Sequence, residues 1–320
     1  MKLAELQIVN PDPKYSRAAL IEPTTLGYIH IAAEVHPRSA PFMPNSSEKS
    51  KLLAQLNTIG RQLEQLDTVE KVSVFDALAF APPSTYAKER ADSIGLPRFD
   101  IVVLIEAKSP AIARNVQKTP EFQTLIDVLE RKARKMHVIV ARNAKRIADV
   151  DKTGKGIFLF NYFIGDNTST TLELWDYLAG WYTAETGLDN STLLVPLEGE
   201  RSDYLAINNA RWDGSLLGLF LGQFSKKSFR TYMLANLEAN HVGAMPVLYR
   251  LADAPRPPTA PMFAWVVGAG LAALGAGYAL RGIAPRWSKK KARPFGRARA
   301  DYVLRGIAPR KLKATIKRRK

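Results

Sequence analysis

The chain has 320 residues and a net charge of +16, from 46 Lys and Arg against 30 Asp and Glu. It has no cysteine, which excludes a disulfide framework and thiolate chemistry. Residues 281–320 hold 16 of the basic side chains and one acid, Asp301, so the first 280 residues are close to neutral, and that balance argues against nucleic acid as a partner of the body.

Residues 1–24 contain Glu5, Pro11 and Pro13 where an export signal would run unbroken and apolar, so they read as an extension. Residues 27–35 alternate cleanly, with Ile29, Ile31, Ala33 and Val35 on one side and Tyr28, His30, Ala32 and Glu34 on the other: a strand. Residues 46–66 place Leu52, Leu53, Leu56, Ile59, Leu63 and Leu66 at helical spacing, with Ser47 as the expected cap. A strand follows over 72–80, then a proline-rich loop through Pro82, Pro83 and Pro97, then a strand over 99–105. Residues 109–135 read as a helix broken at Thr119-Pro120, and 136–142 as a strand.

The same order then recurs. Strand 157–164 is bulky on both faces, which predicts burial on both. A helix over 169–186 carries Leu172, Leu174, Trp175, Leu178 and Trp181. Strands are expected at 191–197 and 204–212, a helix at 216–240 broken near Gly222 or Ser225, and a last strand at 246–251. The reading is α+β: two tandem βαββαβ units of ferredoxin-like type, at 25–148 and 156–251. Residues 252–261, with four prolines ending in Pro261, form a semi-rigid linker.

Residues 262–280 contain no charge, and about 20 apolar residues of helix cross a hydrocarbon core of about 30 Å. They are expected to be a single transmembrane helix, with Phe263 and Trp265 near one interface. Ala269, Ala273 and Gly277 form a small-residue row along which two copies could pair into a homo-oligomer. The tail over 281–320 suits anionic lipid headgroups, with another polyanion as the rival. Within it Leu304–Arg310 repeats Leu280–Arg286. The positive-inside rule would put the tail in the cytosol. Without an export signal, a body facing the cytosol is the favoured orientation.

The second unit resembles the dimeric α-β barrel superfamily, in its antibiotic-biosynthesis-monooxygenase-like branch. The residues that carry the resemblance are Trp175 and Trp181 with Glu185-Thr-Gly-Leu-Asp189, the strand end Asn208-Asn-Ala-Arg-Trp212, Ser225-Lys-Lys-Ser-Phe229 and Tyr249. Ser109–Arg114 and Thr119–Phe122 echo it in the first unit. The resemblance implies that the two units close into one intrachain barrel around a cavity. It implies a monooxygenase-like or haem-binding-like protein that binds or oxidises a small apolar molecule, with haem or no cofactor at all.

Asn161 matches the first-strand asparagine of the haem-degrading members. The tryptophan and histidine positions of that type fall near Gln223 and Met233, which argues against their route. The expected ligand-binding residues are Asn161, Tyr162, Asn208, Arg211 and Trp212, although a tryptophan at the position of Trp212 is more often a structural plug at the barrel rim. His36, His137 and Glu34 are the candidate set for iron or zinc, the alternative being strand-end side chains. A non-enzymatic membrane adaptor working through its basic tail is the competing function.

Overall fold

A computed structural model describes residues 5–36 and 45–253. Its strands are β1 (Gly27–Glu34), β2 (Val69–Phe80), β3 (Ile101–Ala107), β4 (Lys135–Arg146), β5 (Ile157–Gly165), β6 (Thr192–Pro196), β7 (Ala206–Trp212) and β8 (Val242–Leu251). Every pairing is antiparallel, and the strands close in the order β1-β3-β2-β8-β5-β7-β6-β4, with β4 returning to β1. The helices are α1 (Ser47–Leu63), α2 (Thr85–Glu89), α3 (Ala91–Ile94), α4 (Pro110–Val116), α5 (Pro120–Glu130), α6 (Thr168–Thr186), α7 (Leu216–Phe224) and α8 (Ala235–Ala239). A 3-10 turn covers Pro13–Tyr15 and a π-helical turn covers Phe229–Leu234.

Local chemistry sets the helix starts. Ser46, not the expected Ser47, caps α1: its Oγ accepts the Lys49 N–H at 3.1 Å. Ser109 and Thr119 cap α4 and α5 in the same way, each followed by a proline whose missing N–H costs nothing in a first turn. Asn167 caps α6, which ends on left-handed Gly187 at φ 67°. The proline-rich loop folds into α2 and α3, which the sequence pattern did not show. The last strand begins at Val242, four residues before the expected start at Pro246. A proline gives a ladder no donor, yet Pro246 sits where β2 has ended, and its carbonyl accepts from Ala81 N at 3.1 Å.

Burial divides the protein into an axis and two outer layers. Phe158, Phe160 and Tyr162 of β5 point to the axis, together with Phe75, Phe99 and Tyr249. Phe75 lies 5.1 Å from both Phe158 and Phe160, ring centre to ring centre, and Phe160 lies 5.4 Å from Tyr249. An eight-stranded barrel is just wide enough for side chains to fill, and here aromatic rings occupy the axis where a ligand cavity was expected. Over β1–β4 the outer layer is aliphatic: Leu52, Leu56 and Leu63 of α1 and Leu125 of α5 cover Ile29, Ile31, Val74 and Val103. Over β5–β8 the outer layer is aromatic, with Trp175, Trp181, Phe229 and Tyr232.

A buried ion cluster lies between the sheet and the first turn of α1. Lys49 reaches in from α1 to Asp76 at 2.9 Å and Asp100 at 2.8 Å, and Arg250 of β8 pairs with Asp76 at 2.8 Å. Asp100 also accepts the Val35 N–H at 2.7 Å. Despite burial, the two cations hold the Asp76 carboxyl below its ordinary value.

Candidate functional site

Alternation along β5 sends Leu159, Asn161 and Phe163 outward, toward the helices. Asn161 faces Asn208 on β7 and Pro246 on β8, while Leu159 faces Ala210 and Leu248. Leu159, Pro246 and Leu248 form the floor of a crevice roofed by Tyr182 of α6 and by Leu219, Phe220, Gln223 and Phe224 of α7, and Asn161 lies beside that floor. Trp212, at the end of β7, forms one wall. The crevice encloses about 20 Å³, room for about one water, so a larger occupant requires α7 to move.

The lining is apolar with a few placed polar groups. Gln223 Nε2 donates to the Tyr182 hydroxyl at 2.9 Å, and Trp212 Nε1 donates to Thr186 Oγ1 at 3.0 Å. The Tyr182 and Trp212 ring centres lie 6.0 Å apart. Burial pushes the Tyr182 phenol up, only partly offset by the Gln223 hydrogen bond, so the phenol is neutral. Asn208 Oδ1 accepts from Ser191 Oγ at 2.7 Å. Asn161 is 8% exposed, and its Oδ1 is buried without a hydrogen-bond partner in the protein. A buried amide oxygen left unmatched costs about 1–3 kcal/mol. The π-helical turn lies a few residues beyond α7, a distortion frequent at functional sites.

The expected ligand residues divide between two faces. Asn161, Asn208 and Trp212 share the outward face of the sheet, beneath the helices. Tyr162 points to the axis, where its hydroxyl lies 3.5 Å from His30 Nε2 and burial pushes its phenol well up. Arg211 lies opposite Phe158, with its guanidinium turned to the Lys155 carbonyl at 2.6 Å and paired with Asp213, so it takes no part in the crevice wall. Tyr182, Leu219, Phe220 and Gln223 were not anticipated as site residues. The signal for Tyr182 and Gln223 was present as polar groups on otherwise apolar helix faces.

The candidate metal set is dispersed. His137 lies across from Ala32, and its Nε2 is 3.0 Å from Ser202 Oγ. Its nearest imidazole is His30, 6.2 Å away between ring centres. His36 is exposed just beyond β1, and Glu34 faces Lys135. Among the described residues, no group of three His, Cys, Asp or Glu could hold a metal ion. Burial lowers His30 well below its ordinary value, and lowers His137 to about 4. Both are neutral imidazoles inside the barrel.

Haem does not fit the described residues of the axis or the crevice. Its iron requires an axial nitrogen, sulfur or phenolate. His30 and His137 face the packed axis, the crevice lining contains no His, Cys or Met, and its one phenol is neutral. The expected membrane residues Phe263, Trp265, Ala269, Ala273 and Gly277 lie outside the described residues. Within the described residues, no helix is long and apolar enough to cross a membrane.

No protein-family model matches the chain, and no curated protein matches it. Solved structures with a similar course include an anthrone oxidase-like protein, at 10% identity over 73% of this chain and 96% of that one, with a TM-score of 0.46. A heme-binding protein from Thermus thermophilus has 8% identity over 74% of this chain and 95% of its own, with a TM-score of 0.39. A dye-decolorizing peroxidase from Bacteroides thetaiotaomicron has 8% identity over 75% and 97%, also with a TM-score of 0.39. At these scores the likeness carries no argument about chemistry, which rests on the crevice itself.

Proposed function

We propose that this protein binds a small, flat, apolar molecule with a hydroxyl or carbonyl group, in the crevice between the β5–β7–β8 face and α7. The observation that carries this reading is the Asn161 carboxamide, buried without a protein partner for its oxygen beside Leu159 and Pro246 of the crevice floor. Small-molecule sites combine apolar walls with a few convergent polar groups. Leu159, Leu248 and Phe220 are the walls; Tyr182 and Gln223 are the polar groups of the lining, and Asn161 stands next to it, opposite Pro246.

None of the lining residues is a base, so the protein's part is to bind, orient and exclude water. Oxidation in this reading converts a CH2 of the ligand to C=O with dioxygen, one oxygen atom entering the ligand and the other leaving as water with the two hydrogens, as in a monooxygenase-like protein that needs no cofactor. The strand order supports two ferredoxin-like units in tandem, since β4-β1-β3-β2 in the first half is matched by β8-β5-β7-β6 in the second. Residues 262–280 anchor such a barrel in a bilayer in this proposal, and the basic tail meets anionic headgroups on the same grounds of composition.

The test is a titration of 1-naphthol against the full chain in lipid nanodiscs, read by saturation-transfer NMR. Leu219→Trp, which fills the crevice, is the control that subtracts partition into lipid. Wild-type binding at least tenfold tighter than that of the variant supports the reading. Equal binding by both proteins overturns it.

A further inference from the structure

The N-terminal segment is bound to the second half through contacts that read its backbone. Asn236 and Asn240 stand one helical turn apart at α8. Asn236 Oδ1 accepts the Val9 N–H at 2.7 Å, while its Nδ2 donates to the Val9 carbonyl at 3.0 Å. Asn240 repeats the arrangement on Gln7, accepting at 2.8 Å and donating at 2.7 Å. Each amide thus takes both polar groups of one extended residue, as a neighbouring β-strand would. Further along, Tyr232 donates its hydroxyl to the Tyr15 carbonyl at 3.2 Å. The segment passes so close to α6 that a Cβ at Gly180 would lie 1.8 Å from the Ser16 carbonyl oxygen.

The segment then meets the crevice at Glu185. Tyr15 donates its hydroxyl to Glu185 Oε1 at 2.7 Å, and Lys14 lies 2.6 Å from the same oxygen. The other carboxylate oxygen holds Lys226, two residues past the end of α7. These partners outweigh burial and bring the Glu185 carboxyl down to about 2. One turn of α6 therefore carries three ties: Tyr182 to Gln223, Glu185 to Lys14, Tyr15 and Lys226, and Thr186 to Trp212. The first holds the last turn of α7, the third holds the Trp212 wall, and the middle one joins the N-terminal segment to Lys226 just past α7.

We infer that residues 5–18 are a latch that holds α7 closed over the crevice, an inference that rests on the crevice being the binding site. Releasing the segment frees Glu185 to swing with Lys226, and α7 lifts from Leu159 and Leu248. The latch is read through its backbone, so its hold depends on an extended course and on peptide N–H groups.

Gln7→Pro combined with Val9→Pro removes both of those N–H donors at exposed or half-exposed positions. The full chain is compared with this variant by hydrogen exchange, following the amides of residues 216–228. The expected result is exchange about tenfold faster there, with β1–β4 unchanged, and tighter 1-naphthol binding. Unchanged exchange over 216–228 overturns the latch, and so does equal acceleration across β1–β4, which would make the segment part of the global fold. Faster local exchange with no naphthol bound by either protein keeps the latch and removes the crevice as its purpose. If the double variant does not fold, Tyr15→Phe carries the same test, since it keeps the ring and loses only the hydroxyl.

Discussion

The two halves of the barrel share a strand order and differ in what lies between sheet and helices. In the first half, α1 and α5 cover the strands with leucine, isoleucine and valine, together with Phe122. In the second half, the equivalent layer contains indoles, phenols and the amides of Asn161 and Asn208. Aliphatic side chains pack densely and leave no polar group to be matched. Amides buried in a sheet are expensive unless satisfied. In the proposed reading, the contrast separates a half that supplies rigidity from a half that supplies recognition.

The sharpest way to break the first half is through its ion cluster. Lys49→Met leaves Asp76 and Asp100 without the cation between them, and the loss is expected to be about 3–5 kcal/mol in urea denaturation. Almost as large is Val103→Asn, which puts an unmatched amide into the aliphatic layer at a fully buried site. About 3 kcal/mol of destabilisation is expected, measured the same way. A cost below 1 kcal/mol would show that the first half tolerates amides as the second does, and the comparison would fail.

Acid provides the next test. His137 titrates at about 4 in the folded protein, below the 6.5 of an exposed imidazole. The folded state therefore binds this proton less readily than the unfolded state. Stability is full above pH 6.5 and is lost as pH falls from there toward 4. Between pH 7 and 4.5 the loss is expected to be about 2–3 kcal/mol, with His30 adding in the same direction. His137→Asn should flatten the denaturation profile over that window. A profile as steep as wild type would remove His137 as its source.

Smallest in stability and clearest for function is Asn161→Leu. It removes the unmatched amide, so unfolding free energy should stay within about 0.5 kcal/mol of wild type or rise slightly. Binding of 1-naphthol should weaken about tenfold. A variant that is destabilised as strongly as Val103→Asn would mark Asn161 as a structural amide.

The strands were legible because burial imposes a period of two, and β5 shows it directly. The same rule divides the expected site. Neighbours in a strand face opposite ways, so Asn161 and Tyr162 cannot serve one pocket, and neither can Arg211 and Trp212. Asn161, Asn208 and Trp212 could be found from sequence because amides and an indole stand out in strands that are otherwise apolar. Tyr182 and Gln223 could not be assembled into a site, since their meeting depends on how α6 and α7 lie against one another. The division of residues 216–240 into α7, a π turn and α8 was anticipated only as a break, because helical spacing does not encode a change of pitch.

All eight strands belong to one polypeptide, with β2 joined to β8 and β4 to β6 at the two seams. A barrel assembled from two identical chains repeats every substitution at a symmetry-related position. An asparagine acquired for recognition would then be inserted twice, and its cost incurred on both sides. Here each position exists once, so one side can hold an unmatched amide while the other keeps its buried charges paired. Asymmetry is available to this chain by covalent connection.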